Sequence, residues 1–145
     1  MIVRPGHIYG PTARTDDSKV SSAFAYLAAK GEDIVMKTEG VQLRSWCYCL
    51  DCASAILKVL LRGGRANAYN VPGEILTIRQ MTELLAEFGG VKVLREGASQ
   101  SELKAFNPMN NSSVDGRKLE ALGWRSLFDA RTGLEHTVEI LRSML

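Results

Sequence analysis

Short apolar runs alternate with segments of helical periodicity along the whole chain, and this alternation constrains the fold more than any other feature. Five segments are predicted to be extended, at positions 1–4, 33–37, 42–50, 68–71 and 91–94. The first is an apolar run that stops at Pro5 and Gly6, so we expect a buried strand that leads into a loop reaching Asp17. Because helices separate the strands, parallel pairing is the default, and the sequence predicts an α/β architecture.

Polar capping residues and glycines mark the expected helix ends. The predicted N-terminal caps are Asp17 or Ser18, Asp51, Thr77 in a capping box with Gln80, Asp115, and Asp129. Glycines close the helices at positions 31, 63–64, 89–90 and 123. Apolar residues at helical spacing predict the buried faces, among them Ala55, Ile56, Val59 and Leu60 in the second helix and Leu134, Val138 and Leu141 in the last. The polar stretch 96–113 is expected to be a long loop, which in compact domains is usually functional or disordered.

Composition and charge indicate a globular domain without a nucleic-acid or membrane partner. Hydrophobic residues make up 46% of the chain and charged residues 23%, the ordinary balance of a soluble protein. The 18 basic and 16 acidic residues are scattered, whereas a nucleic-acid binder more often clusters its basic residues. No apolar stretch approaches the length of a bilayer span, and the N-terminus lacks a signal peptide's layout. We therefore expect a soluble, cytoplasmic protein.

Three cysteines, Cys47, Cys49 and Cys52, fall close together in the chain. An odd number at this spacing is a poor disulfide framework, and a structural zinc site needs four ligands. His7 and His136 are distant in the sequence, so no metal site is expected. The cysteines are predicted to pack as small apolar side chains.

Two stretches carry the most specific signal in the sequence. Residues 4–11 read Arg-Pro-Gly-His-Ile-Tyr-Gly-Pro, and residues 39–51 read Glu-Gly-Val-Gln-Leu-Arg-Ser-Trp-Cys-Tyr-Cys-Leu-Asp. Tyr-Asn-Val follows at 69–71, and a closing pattern is formed by Asp115, Lys118, Leu122, Gly123 and Trp124. In this order the four landmarks cover the chain and resemble the extended short-chain dehydrogenase/reductase family of NAD-dependent nucleotide-sugar epimerases, dehydratases and decarboxylases.

The resemblance implies a substrate site for a nucleotide sugar. It assigns Arg44 to the pyrophosphate, a task for which the fixed donor fork of an arginine is suited. His7 stands where the family usually has an asparagine that touches the substrate. Lys19 and Val20 match a loop-to-helix segment that lies against the substrate phosphates. Trp46 would form a wall of the same site.

Each of these residues also has a purely structural interpretation. Arg44 could be an ordinary surface arginine, and His7 could satisfy a loop hydrogen bond. Lys19 could be a solvated lysine in the first turn of a helix, and Trp46 could be a core aromatic. Asp51, which closes the second motif, is expected to be structural.

The chain carries neither a dinucleotide-binding glycine pattern nor a catalytic pair in the expected place. Its 13 glycines form neither G-x-G-x-x-G nor G-x-x-G-x-x-G. The family's catalytic Tyr-x-x-x-Lys precedes the first motif, whereas the matching string here, from Tyr26 to Lys30, follows it, so no catalytic role is assigned. A second pyrophosphate-binding arginine has no clear match. The basic residues near the late loop are Arg95 and Lys104, and the loop departs from the family pattern around 107–109.

The sequence as a whole predicts that residues 1–145 are a single C-terminal, sugar-nucleotide-binding part of an NAD-dependent epimerase or dehydratase. The implied fold is part of a Rossmann-type domain, with an incomplete parallel sheet and a small α/β substrate lobe. The intact parent would bind NAD, oxidise the sugar at C4 and return the hydride, while no cofactor is expected on this chain alone. One alternative is a non-catalytic module that binds a nucleotide sugar or forms a homo-oligomer through exposed sheet edges. Another is a complete α/β domain with an unrelated role.

Overall fold

The computed structural model describes residues 1–11, 13–100, 102, 106 and 109–145, in which strands and helices alternate along the chain. The strands are β1 (Ile2–Pro5), β2 (His7–Tyr9), β3 (Ile34–Met36), β4 (Leu43–Tyr48), β5 (Ala68–Val71), β6 (Glu74–Thr77), β7 (Val93–Arg95) and β8 (Asn111–Ser112). The helices with described bounds are α1 (Val20–Lys30), α2 (Cys49–Arg62), α3 (Ile78–Gly89), α4 (Arg117–Glu120) and α5 (Ala130–Met144).

Parallel pairing joins most of the strands. β1 pairs in parallel with β5, and β3 pairs in parallel with β7. In the central sheet, β4 pairs in parallel with β2 and β8 and antiparallel with β6. The predicted α/β class with parallel pairing is confirmed, and the described strands form open sheets.

The larger hydrophobic core lies among α1, α3 and α5, which pack against one another and against β4. Small residues, including Ala25, Ala28 and Ala29, line the buried side of α1. They let α3 approach so closely that a Cβ on Gly89 would lie 2.8 Å from the Ala28 carbonyl oxygen. The larger buried side chains come from α3 and α5: Met81, Leu85, Leu134, Val138 and Leu141. The predicted buried face of the last helix is thus confirmed.

A second core lies between α2 and the β1–β5 pair. Its buried members are Cys47, Cys52, Ala55, Val59, Tyr69, Val71, Leu119 and Trp124. Burial raises the pKa of the Cys47 thiol to about 12, so this side chain stays protonated. The expected apolar packing is confirmed for Cys47 and Cys52, whereas Cys49 is only half-buried. Within the described residues, no group of three or more His, Cys, Asp or Glu side chains could hold a metal ion.

Several predicted helix ends are confirmed by the backbone. Thr77 and Gln80 form the reciprocal capping box of α3. The Asp129 carboxylate accepts a hydrogen bond of 2.7 Å from a backbone N–H in the first turn of α5. Gly31 and Gly90 end α1 and α3 in the left-handed conformation, with φ of 74° and 68°.

Asp51 is not the helix cap that the sequence predicts, because α2 already begins at Cys49. Its buried carboxylate instead accepts hydrogen bonds from the Ser126 hydroxyl (2.6 Å) and from the N–H groups of Leu127 (2.8 Å) and Phe128 (3.2 Å). These bonds fasten the first turn of α2 to the segment that precedes α5. Asp51 therefore has the structural role that was expected, but as a buried hydrogen-bond acceptor and not as a helix cap.

Two other aspartates support helix starts from outside the helix. α1 begins after Lys19, whose N–H donates to the Asp17 carboxylate at 3.0 Å, and the Ser22 hydroxyl donates to the same carboxylate at 3.0 Å. At the start of α4, the Asp115 carboxylate accepts the backbone N–H of Arg117 at 3.0 Å. Neither aspartate is itself the N-cap residue, which is Lys19 in α1 and Gly116 in α4.

β1 and the outer face of α2 are more exposed than the sequence predicts. Ile2 is 56% exposed, because α2 covers only one face of the β1–β5 pair. The face of α2 that points away from the sheet carries exposed apolar side chains: Leu50, Ile56, Leu57, Leu60 and Leu61. Of the predicted buried face, Ala55 and Val59 are confirmed as buried against the sheet, whereas Ile56 and Leu60 are exposed. In the described ranges, no helix is both long and apolar enough to cross a membrane.

Three short strands are not anticipated by the sequence patterns. They are β2, β6 and β8, and all three pair with β4. Each contains between two and four residues, which is too few for a reliable alternation of apolar and polar positions. Their pairing with β4 builds the sheet around which the site is arranged.

We expect Asp51→Ala to lower the free energy of unfolding by about 2–4 kcal/mol, because it removes the acceptor for the Ser126 hydroxyl and two backbone N–H groups. Urea unfolding followed by circular dichroism measures the change. Glu139→Ala removes an exposed carboxylate from α5 and is the matched control, with an expected change below about 0.5 kcal/mol. Equal stabilities of the two variants would contradict the role of Asp51.

The turn between β5 and β6 passes against β4 at Gly73. A Cβ on this residue would lie 1.9 Å from the Trp46 carbonyl oxygen, and the Ser45 hydroxyl holds the turn by hydrogen bonds to both backbone groups of Gly73. We expect Gly73→Ala to lower the Tm by at least about 8 °C, equivalent to about 2 kcal/mol for a domain of this size. Gly97→Ala, where no described residue other than the two chain neighbours comes within 4 Å of the added Cβ, should leave the Tm unchanged. A normal Tm for Gly73→Ala would show that the turn does not contact β4.

Candidate functional site

A polar cleft of about 360 Å³ opens between β2, β4 and the N-terminus of α1. All five residues singled out in the sequence line it: His7, Lys19, Val20, Arg44 and Trp46. The remaining lining residues are Gly6, Ile8, Ser21 and Ile78. Positions that are far apart in the sequence are thus brought together in one cleft.

Strand register places the central side chains of the cleft. In the parallel β2–β4 pair, His7 lies opposite Trp46, and their ring centroids are 5.6 Å apart. Arg44 precedes Trp46 by two residues on β4, so both side chains leave the strand on the same face. The Trp46 indole N–H donates to the Leu76 carbonyl oxygen at 3.1 Å, which fixes the ring that forms the wall.

Arg44 is a buried cation, with 5% of its surface exposed. Its Nη1 donates to the Leu43 carbonyl oxygen at 2.8 Å. Within the described part of the chain, no carboxylate lies within 4.0 Å of its guanidinium. Burial lowers the pKa of Arg44 from its ordinary value, but an arginine stays charged at neutral pH. A buried charge without an ion-pair partner is costly, and an anionic ligand would relieve that cost.

His7 adds a titratable group to the same cleft. Its Nε2 lies 2.9 Å from the Ser112 hydroxyl oxygen on β8. Burial lowers the pKa of His7 below the usual 6.5, and the positive charges of Arg44 and Lys19 lower it further. The imidazole is therefore mainly neutral at pH 7.

The N-terminus of α1 faces the cleft through Lys19, Val20 and Ser21. The backbone N–H groups of its first turn and the positive end of the helix dipole favour an anion at this place. The Lys19 side chain is exposed, and its Nζ lies 3.9 Å from an oxygen of Asp17. Such an exposed and loose ion pair leaves the ammonium available to a ligand.

A second, apolar pocket of about 290 Å³ continues the cleft, with which it shares Val20, Arg44 and Ile78. Its other lining residues are Phe24, Val35, Met36, Lys37, Thr38, Gln42 and Phe106. Gln42 Oε1 is buried there and has no hydrogen-bond partner among the described residues.

The sequence did not identify this pocket, because its walls come from separate elements. The sequence contains one indication that Gln42 belongs to the site of Arg44. It lies two residues before Arg44, and alternation along an extended chain puts both side chains on one face.

The other residues discussed from the sequence lie outside this cleft. The Tyr26 hydroxyl donates to the Ala13 carbonyl oxygen at 2.9 Å, which gives this tyrosine a structural contact. The Arg95 guanidinium lies 3.1 Å from a carboxylate oxygen of Glu39. Lys104 and residues 107–108 lie outside the described residues, so the departure from the family pattern at these positions stays a matter of sequence alone.

Sequence comparison relates the chain to enzymes of nucleotide-sugar metabolism. The model of the NAD dependent epimerase/dehydratase family matches residues 1–72. UDP-glucuronic acid decarboxylase 6 of Arabidopsis thaliana is 30% identical over 146 aligned residues, which cover 99% of this chain and 41% of that protein. The chain thus spans about two fifths of the length of this curated relative.

Comparison with solved structures extends the likeness to the fold. A dTDP-glucose 4,6-dehydratase from Streptomyces venezuelae with NAD bound superposes with a TM-score of 0.78 and 26% identity, over 98% of this chain and 43% of that one. A UDP-glucose 4-epimerase from Thermotoga maritima with UDP-glucose gives a TM-score of 0.83 at 24% identity, over 98% of this chain and 45% of that one. At this identity the likeness shows a shared fold and nothing more. Sequence motifs, fold and relatives agree, and the chain belongs to the NAD-dependent epimerase/dehydratase family.

Proposed function

We propose that this chain binds a nucleoside-diphosphate sugar and forms the substrate-binding part of an NAD-dependent nucleotide-sugar epimerase, dehydratase or decarboxylase. The observation that carries the proposal is the buried Arg44 guanidinium, which lies where a polar cleft meets an apolar pocket. A ligand with a charged centre and a flat, less polar end fits this arrangement.

The polar cleft fits the pyrophosphate. The Arg44 guanidinium offers several N–H donors in a fixed plane, and among the described residues one hydrogen bond, from Nη1 to Leu43, occupies one of them. Lys19 and the N-terminus of α1 add positive potential from the other side of the cleft. Because the cleft is partly shielded from water, these interactions are stronger than they would be on an open surface.

The apolar pocket fits the nucleoside base. Phe24 and Phe106 supply aromatic surface, and Val35 and Ile78 supply aliphatic surface. The buried Gln42 Oε1 is an acceptor for an N–H group such as the imide of uracil or thymine. UDP- and dTDP-linked sugars, which appear in the names of the relatives, carry these two bases.

The chemical steps are proposed for a larger parent protein. A dinucleotide loop needs closely spaced glycines after a strand, and the connection from β2 to α1 contains Gly10 alone. NAD therefore does not fit this chain by itself, and we propose that the cofactor and the catalytic groups belong to a separate NAD-binding domain of the parent. There, oxidation at C4 would transfer a hydride to NAD, and a later step would return it. This chain would hold the sugar in place through its nucleotide.

We expect the purified chain to bind UDP or dTDP with a Kd between about 1 μM and 1 mM and to show no response to NAD, as measured by isothermal titration calorimetry. Arg44→Met keeps the apolar stem and removes the fork, so the affinity should fall by at least about tenfold. Arg65→Met is the matched control, because Arg65 is exposed and does not line either pocket. It should leave the affinity unchanged.

Three results would contradict this proposal. Equal affinities of the wild-type chain and Arg44→Met for the same nucleotide would place the pyrophosphate elsewhere. Tighter binding of NAD than of UDP and dTDP would show that the cleft belongs to the cofactor. A lack of binding to all three would overturn the proposal for the chain on its own.

We also infer that the chain self-associates, because the exposed apolar face of α2 favours it. Leu57, Leu60 and Leu61 are 58%, 66% and 76% exposed, and Ile2 on β1 is 56% exposed. Soluble monomers rarely present so many large apolar side chains on one helix face. Among the described strands β1 pairs with β5 alone, so its other edge offers a second place for pairing. A second copy of this chain would bury both features in a symmetric contact.

Light scattering after size-exclusion chromatography should give a dimer or larger species at micromolar concentration. The double variant Leu57→Glu/Leu61→Glu puts charges into the apolar face and should shift the protein to the monomer. Leu145→Glu alters an exposed leucine at the C-terminus and should leave the assembly state unchanged. A wild-type chain that is monomeric at these concentrations would sink the inference.

A further inference from the structure

We propose that ligand binding in the cleft is coupled to protonation of His7, so that the affinity for a pyrophosphate ligand rises as the pH falls. The inference rests on the proposed function, because it needs an anion in the cleft. It goes beyond that function by making His7 a titrating anion receptor that adds a charge when the ligand arrives.

The surroundings of His7 explain why the ring is neutral before a ligand binds. Arg44 of β4 and Lys19 before α1 both face the same cleft and are positive. β8 contributes the uncharged Ser112 hydroxyl. α2 also packs on β2, and its carboxylate at Asp51 is engaged by the segment at 126–128. His7 therefore has cations and a hydroxyl in its surroundings.

The two ring nitrogens of His7 allow it to contact Ser112 and a ligand phosphate at the same time. One nitrogen, Nε2, is within hydrogen-bond distance of the Ser112 hydroxyl. A neutral imidazole has one N–H, whereas the protonated ring has a donor at each nitrogen. Protonation therefore preserves a bond to Ser112 and leaves the second nitrogen as a charged donor for a phosphate oxygen.

An anion reverses the balance that keeps the ring neutral. In the free protein, burial and the charges of Arg44 and Lys19 hold the pKa of His7 below 6.5. A bound pyrophosphate screens both cations and attracts the imidazolium directly, so the pKa rises on binding. The complex then binds more protons than the free protein between the two pKa values. By linkage, the affinity increases as the pH falls through the raised pKa and levels off below the lowered one.

UDP-glucose is the suitable probe, since its pyrophosphate is a diester that does not titrate between about pH 5.5 and 8.5, where histidine does. We expect the affinity of the wild-type chain to increase by about tenfold over this range on acidification. Calorimetry in two buffers of different ionisation enthalpy should also show net proton uptake at about pH 6.5. His7→Asn replaces the imidazole by a polar amide that does not titrate in this range, and should bind with a nearly flat pH dependence.

The chain has two histidines, which makes a direct readout possible. Proton NMR of the ring C2–H signals should show one midpoint moving upward when UDP-glucose is added, and His7→Asn identifies that signal by its loss. His136 bonds the Tyr48 hydroxyl at 2.6 Å and does not line the cleft, so His136→Asn is the matched control and should keep the pH dependence of binding.

The outcomes separate the two proposals. The same pH dependence in the wild-type chain and in His7→Asn, or an unmoved His7 midpoint on binding, would overturn the coupling while leaving the nucleotide site intact. A failure of UDP-glucose to bind at any of these pH values would overturn the proposed function, and the coupling with it. Loss of the pH dependence in His136→Asn would assign the proton to the other histidine and contradict the proposal.

Discussion

The structure depends on β4, because this strand pairs with β2, β6 and β8 and also separates the two cores. Alternation along the strand assigns its side chains to different surroundings. Arg44 faces the cleft, Trp46 and Tyr48 belong to the core of α1, α3 and α5, and Cys47 belongs to the core beneath α2. A shift of β4 by one residue would exchange these surroundings and place the guanidinium in an apolar core.

The cost of the buried Arg44 charge is met by the architecture around it. The strand that carries it is fixed on both sides by pairing, and the turn at Gly73 leaves no room for the backbone to move away. Stability gained in the two cores thus holds a cation in a place that folding alone does not favour. A site that already holds a desolvated cation is suited to an anion, because the ligand supplies the opposite charge that this cation lacks in the protein.

Sequence reasoning succeeded where a local interaction decides the structure. The Thr77–Gln80 capping box, the Asp129 cap and the left-handed Gly31 and Gly90 depend on residues within one turn. The motif residues also converge on one cleft, although their roles in binding stay a prediction.

Sequence reasoning failed where contacts between distant parts of the chain determine the structure. Asp51 carries the sequence of a cap, but donors at 126–128 turn it into a buried acceptor. The apolar pocket and the exposure of Ile56 and Leu60 likewise depend on which elements meet in space.

The cleft and the exposed face of α2 are built from different parts of the molecule. None of the residues that line the two pockets belongs to the core between α2 and the β1–β5 pair. Changes on the outer face of α2 should therefore add to changes in the cleft without coupling, as expected for sites that share no partner. The proposed nucleotide binding and the proposed self-association thus depend on separate sets of described residues, and a substitution in one set can test one proposal without altering the other.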